Sequence, residues 1–371
     1  MKQKIKSFSK FQYFILFWIG EKAKAAGFLF SLINSKFNLI KKHFSLGLKI
    51  IISVIVLTYL FSIIPFSSIL SSILSADIVL LLIGIILSSP ISYLSAFETQ
   101  YLTKIQGMTL SVFEILKIHL VTSFYGLFLP GTLSGGAVKW YKFSKHSNKS
   151  SAAAVIVLNR FLEILMVVII GILFSLPILY EAKNQKLLVL LVIIFFIMIL
   201  LYFALLKKSV LILIENIFHK LPFPFLVKEK TGKFLKAMSQ FQNLRLKDHL
   251  EIFGLLFLYH GLGLVTFFFF AHSLNVNVNI WIIGWVRSVM AIAIMLPLSF
   301  MGLGIREITL VYLLNQYGVA PNDAMALSFL FFFRNLLSSL IGGLFELKEF
   351  IFSKKIKEKE IKSINIIDNN L

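Results

Sequence analysis

The 371-residue chain contains no cysteine. That excludes a disulfide framework and a thiolate-held metal centre, and it leaves the redox compartment unspecified. Charge is also scarce, at 15% of residues, where a soluble domain carries about a quarter. Acid is the rarer sign, with 17 acidic residues against 37 basic and a net charge of +20. Motifs for familiar chemistry are missing too. The Gly232-Lys233 pair in KTGKF lacks the upstream glycine and the Ser/Thr of a phosphate-binding loop, which speaks against an ATP-driven pump. His260 and His272 have no partner at ligand spacing, so they read as packing residues and no metal or cofactor is expected. Glu98, Glu114 and Glu163 are scattered rather than clustered on one face, which weakens a reading as a membrane transferase.

Apolar residues fill the space, at 58% of the chain. A span needs roughly 20 mainly apolar residues. Such runs occur at 45–64, 78–97, 152–177, 187–206, 250–271, 280–300 and 322–346. Two shorter stretches, 112–129 and 305–318, adjoin Gly/Pro breaks. The expected fold is all-α: a polytopic membrane helix bundle of about seven or eight spans, with two re-entrant, Gly/Pro-broken segments in a pseudo-repeat. Residues 11–33 read as an amphipathic surface helix, or as a poor eighth span, because Glu21, Lys22 and Lys24 interrupt them.

The basic excess is placed by topology, since Lys and Arg crowd cytoplasmic loops. It gathers before residue 50, at 139–149, at 207–247 and after Lys348, while 65–77 and 272–279 carry no Lys or Arg. All four clusters face the cytoplasm only if 112–138 enters and leaves on one side and 305–346 forms a hairpin before the tail. The expected organisation is then a basic N-terminal segment (1–44), a transmembrane domain (45–347) and a charged, frayed cytoplasmic tail (348–371). Within the domain, the basic loop 207–249 reads as two short amphipathic helices on the membrane surface.

The break at residues 129–141, LPGTLSGGAVKWY, interrupts this pattern and recurs at 296–312 as LPLSFMGLGIREITLVY. Pro130, Gly135 and Lys139 repeat the spacing of Pro297, Gly302 and Arg306. An Asn–Arg neighbour pair follows each break, at Asn159–Arg160 and at Arg334–Asn335. Paired, interrupted segments in corresponding halves point to a transporter's binding region. Unpaired backbone groups at membrane depth are tolerated only beside protein or a wet cavity. A helix restarting there offers free N–H groups to an anion. The plainer alternative is close packing through small residues, with a snorkelling lysine.

These segments, with SADIVLLLIGIILSSPISYLSA, VLNRFLEIL and GLGIREITLVYLLNQYGVAPNDAMALSFLFFFRNLL, resemble the transmembrane region of the lysylphosphatidylglycerol synthetases. That is the multiple peptide resistance factor family. They resemble equally the stand-alone flippase-like membrane proteins that share the region, from about residue 45 to 347. Gly302, Gly304, Arg306 and Glu307 match the family's Gly-x-Gly-x-Arg-Glu. Gly136 and Asn159 stand where the family often has Asp, which removes negative charge beside Lys139 and Arg160. The synthetases' soluble lysine-transferring domain is not expected here, so a non-enzyme is anticipated. The resemblance implies a multi-pass protein of a bacterial or archaeal inner membrane, with its C-terminus cytoplasmic.

Taken together, these readings lead to an expected lipid flippase or transporter. Its headgroup site would comprise Pro130, Gly131, Gly135, Gly136, Lys139, Arg160, Gly302, Gly304 and Arg306. The cargo would be an anionic, phosphate-bearing membrane lipid. The alternative is a non-transporting lipid-binding partner of an envelope-biosynthesis enzyme. Nucleic acid is not an expected partner, and the sequence leaves the oligomeric state open. Glu163, Arg287, Glu307 and Arg334 are expected in structural ion pairs. Arg160 and Glu163 lie three apart on one helix. Arg306 is expected to face the cavity, while Glu307, about a quarter-turn away, pairs with Arg287 or Arg334.

Overall fold

The computed structural model describes residues 51–368 apart from 52, 129–131, 179–184, 222–223, 297–298 and 300–301. The expected N-terminal surface helix, Pro130, Gly131 and Pro297 therefore lie outside the described residues. The described residues form helices and no strand: α1 (Ser53–Ile63), α2 (Phe66–Leu74), α3 (Ile78–Ile105), α4 (Val112–Phe128), α5 (Thr132–Ser144), α6 (Lys149–Ser175), α7 (Gln185–Leu206), α8 (Lys208–Lys220), α9 (Phe225–Ser239), α10 (Leu246–Ser273), α11 (Ile280–Met295), α12 (Ile305–Asn315) and α13 (Pro321–Asp368).

Local chemistry sets many of the starts. The Asp77 side chain accepts hydrogen bonds from the N–H groups of Val79 and Leu80 at 2.8 and 3.1 Å and opens α3. Asn148 and Asn279 cap α6 and α11 in the same way. Ser111 and Glu114 form a reciprocal box at α4, with Ser111 N–H donating to Glu114 at 2.7 Å and Glu114 N–H donating to Ser111 Oγ at 3.2 Å. Pro90 lies inside α3, where it removes the N–H that would have met the Ile86 carbonyl. The Ser89 hydroxyl donates to that carbonyl instead, at 2.8 Å.

Among the described residues, five helices are long and apolar enough to cross a bilayer: α3, α6, α7, α10 and the first part of α13. A sixth candidate is α1 with α2, bent by 79° at Pro65. This is fewer than seven or eight. The stretch 280–300 ends as helix at Met295, and its 16 residues reach only about 24 Å at 1.5 Å per residue, short of a core of about 30 Å. Residues 66–74 are helix rather than an outer loop. The tail extends α13 as helix to Asp368 instead of fraying at once. The basic loop does form two helices, α8 and α9.

The packing repeats. With α3–α6 set against α10–α13, α4 corresponds to α11, α5 to α12 and α6 to α13. Under that exchange α3 packs on its own counterpart α10, and the pair α4–α13 maps onto α11–α6. Helices α4–α5, α5–α6, α11–α12 and α12–α13 also pack in matching pairs. Helices α3 and α10 run antiparallel. The Asp77 N–H at the start of α3 donates to the Ser273 carbonyl at the end of α10, at 2.8 Å. At the other end, the Tyr101 hydroxyl donates to Asp248 at 2.6 Å. The two halves are thus an inverted repeat, the form in which a site sits between halves.

Small residues bring the exchanged pairs together. On α13, a Cβ at Gly342 would collide with the Leu120 carbonyl of α4, and one at Gly343 would meet the Phe124 ring. On α6, a Cβ at Gly171 would press on Ser288 of α11. Beyond the α4–α13 contact, Lys142 of α5 binds Glu346 at 2.7 Å, and Lys117 of α4 binds Glu349 at 3.0 Å.

Replacing Gly342 with Leu should separate α4 from α13 at a backbone contact that cannot yield. We expect destabilisation of at least about 1–3 kcal/mol, read as a lower unfolding temperature in detergent. Gly254→Ala, whose Cβ meets nothing within 4 Å, should leave that temperature unchanged. Equal behaviour of the two variants would refute the close packing.

Candidate functional site

The second break restarts at a buried polar node. Gly302 and Gly304 have φ of +77° and +83°, a region that disfavours side chains. A Cβ on Gly304 would also press on Val56 of α1. Gly304 N–H donates to Glu307 Oε2 at 2.6 Å, which answers one of the free N–H groups at the start of α12. The other carboxylate oxygen, Oε1, accepts from Arg306 Nε at 3.0 Å and NH2 at 2.5 Å, and from the Ser328 hydroxyl of α13 at 2.8 Å. Arg306 also contacts the Phe332 face, 5.5 Å from its centroid. Both charged residues are buried. The expected pairing is therefore corrected: Glu307 binds Arg306, its neighbour, and neither Arg287 nor Arg334. The Cα directions do diverge, but the long guanidinium stem folds back over the carboxylate.

The first break restarts differently. Lys139 Nζ on α5 donates to Asn159 Oδ1 on α6 at 3.1 Å. The Asn159 amide then donates to Glu98 Oε2 on α3 at 2.7 Å. Glu98 is 1% exposed and Asn159 4%. Gly135 lets α5 approach α4, since a Cβ there would lie 3.2 Å from the Thr122 methyl, whereas Gly136 faces open space. The loss of the family carboxylates at 136 and 159 does not leave Lys139 without an acid, because Glu98 supplies one through Asn159. Arg160 and Glu163 pair at 3.3 Å on the outer part of α6. In both halves, then, the cation after the break reaches the next long helix: Lys139 reaches α6 and Arg306 reaches α13.

Between the halves lies a cavity of about 730 Å³. Helices α2, α3, α4, α10 and α13 line it, and its wall is apolar apart from Arg334 and four serines, Ser88, Ser89, Ser92 and Ser338. Neither Lys139 nor Arg306 lines this cavity, so it is not the chamber between the two restarts that the sequence suggested. Arg334 donates weakly to the Ser88 carbonyl at 3.3 Å, and its Nε is buried without a partner. Among the described residues, neither Arg334 nor Arg287 meets a carboxylate at ion-pair distance. Their expected structural ion pairs are absent among those residues. Arg287 on α11 packs against Gly263 on α10, where a side chain would strike its guanidinium. Tyr259 on α10 stands within electrostatic reach of Arg287, Arg334, Arg160 and Glu163.

Sequence reasoning missed Glu98, Ser328, Gly263 and the placement of Arg334. Glu98 carried a usable signal, because an ionisable residue inside a span needs a partner. Ser328 and Gly263 carried none without the packing.

Glu307→Ala should strand the Arg306 guanidinium in the interior. The expected loss is about 3–5 kcal/mol, measured by chemical unfolding in mild micelles, with Ser328→Ala costing much less. A neutral Glu307→Ala would contradict the buried pair.

The chain matches the family described as the lysylphosphatidylglycerol synthase TM region over residues 46–343. No curated protein matches it. The match takes in both halves of the repeat, the cavity and both polar restarts, and the protein belongs to the lysylphosphatidylglycerol synthase transmembrane-region family.

Proposed function

We propose that this multi-pass membrane protein translocates an anionic, phosphate-bearing lipid across the inner membrane. The observation that carries the reading is the cavity between the halves: hydrocarbon-lined, with one arginine that no acid among the described residues neutralises. Leaving a charge at membrane depth costs about 2.5–3.5 kcal/mol on insertion scales. A phosphate oxygen at Arg334 would offset that cost, while acyl chains fill the apolar wall. The serines offer further hydrogen bonds at the headgroup.

The second station is Lys139, with Arg160 beside it. In this reading a headgroup passes between Arg334 and Lys139 by way of Arg287 and Tyr259. Arg306, Gly302 and Gly304 take a different part in this account. They hold the α12 restart in place, and the Arg306 charge is already answered by Glu307. No catalytic role is proposed. The distribution of Lys and Arg supports a cytoplasmic placement of the basic loop and the tail in this reading.

Purified protein in liposomes tests the proposal with a fluorescent phosphatidylglycerol. Wild type should move the lipid between leaflets, and Arg334→Gln should slow that movement at least tenfold. Arg334→Lys, which keeps the charge and the fold, should retain part of it. Binding without movement would favour the lipid-presenting partner instead. Unchanged movement in Arg334→Gln would remove the cavity from the mechanism.

A further inference from the structure

The recess around Lys139 holds more polar capacity than its own contacts use. Glu98 Oε1, His119 Nε2 and Thr122 Oγ1 are all buried there without a hydrogen-bond partner. An ammonium has three N–H groups, and the described contacts of Lys139 occupy one, on Asn159. His119 on α4 lies within electrostatic reach of Lys139, and the Thr122 methyl abuts Gly135.

The Asn159 amide bonds to both Lys139 and Glu98, so the proton on Glu98, present or absent, sets the net charge of the recess. Glu163, the other carboxylate within electrostatic reach of Glu98, has its own partner in Arg160. From α10, Tyr259 faces Glu163 and the arginines. Arg334 of α13 meets α3 at Ser88, ten residues before Glu98. Glu98 is thus the carboxylate whose charge depends on what Lys139 is doing.

With Glu98 ionised, an anionic headgroup arriving at Lys139 would place two negative charges against one positive among buried side chains. An uncompensated buried charge costs several kcal/mol. A proton placed on Glu98 Oε1 restores neutrality. The Asn159 N–H keeps its bond to Oε2, which accepts in either state.

We infer that Glu98 is a proton-carrying site, so that one proton enters the recess with each anionic headgroup and leaves with it. This rests on the Lys139 station proposed above. It supplies a coupling that the sequence left open, because a proton gradient would then bias the direction of lipid movement. The balance is simple: water delivers the proton to Oε1, no covalent bond to carbon changes, and the proton returns to water on release.

The test uses the full chain in micelles and a short-chain phosphatidylglycerol. Binding heats are compared at one alkaline pH, at which Glu98 is ionised before lipid binds, in two buffers of different ionisation enthalpy. Wild type should take up about one proton per lipid bound, as linkage requires when a group's protonation differs between two states. Glu98→Gln should still bind, with uptake near zero. Glu98→Asp should restore uptake and serves as the check if the Gln variant folds poorly. Lys139→Met should lose the proton uptake while retaining binding at Arg334. In liposomes, an imposed pH gradient should accelerate wild-type movement several-fold and leave Glu98→Gln unaffected. Binding by wild type with the same heat in both buffers would overturn the proton site and leave translocation standing. Absence of binding by wild type would overturn the lipid reading, and the proton site with it.

Discussion

A charge inside hydrocarbon has to be answered, and the arrangement of answers organises this molecule. Arg306 is answered completely, by a carboxylate on its own helix and a hydroxyl on the next. Lys139 is answered at one remove, through an asparagine that also holds Glu98. Arg334 and Arg287 have no acid among the described residues; Arg334 lines the apolar cavity between the halves, and Arg287 packs against Gly263. The three conditions suit three tasks. A fully paired cation fixes a helix restart, a partly paired one can exchange its partner, and an unpaired one can receive a guest. Burying ions this way is costly, and for that reason their distribution says more than their number.

The inverted repeat explains why these conditions differ in place but share a plan. Each half makes a helix, a break, a short restarted helix and a long span, and each restart sends a cation to that span. The equivalence is then broken by chemistry. On the α6–α11 side the interface is filled, with Phe174 against Trp281 at 5.1 Å and Gly284 receiving the Phe174 ring. On the α4–α13 side the space beside Leu116 and Leu120 stays open as the cavity. Two halves of one design therefore present one filled interface and one open one. The largest exposed apolar surfaces, such as those on α7, have the composition expected of helices bathed in lipid.

Much of this was readable before any coordinates. The Pro-x4-Gly-x3-cation spacing disclosed the repeat, because a broken helix needs the same ingredients wherever it occurs. Ser111 and Glu114 announce the start of α4, and Asp77 that of α3. The span count was not readable in the same way. Hydropathy sums apolar residues and is insensitive to the break that ends α11 at Met295, or to the 79° bend at Pro65. The Arg306–Glu307 pair escaped because reasoning from helical angle places Cα directions and says nothing of where a long, flexible arginine stem can curl. The location of Arg334 escaped because a cavity is a property of several helices at once. Glu98 lay in plain view, yet Lys139 is forty-one residues further along the chain, past a break, and the Asn159 bridge sixty-one.

Pro90 gives α3 a mechanical character that the other long helices lack. One rung of its backbone ladder is missing at the depth of the cavity wall, and a serine hydroxyl holds the vacant carbonyl. A side-chain bond of that kind is exchanged more easily than a peptide one. Helix α3 is clamped to α10 near both ends, through Asp77 and Tyr101. A rod held at its ends and weakened in the middle bows instead of tilting. Its mid-portion can bend while its ends hold the two halves in register.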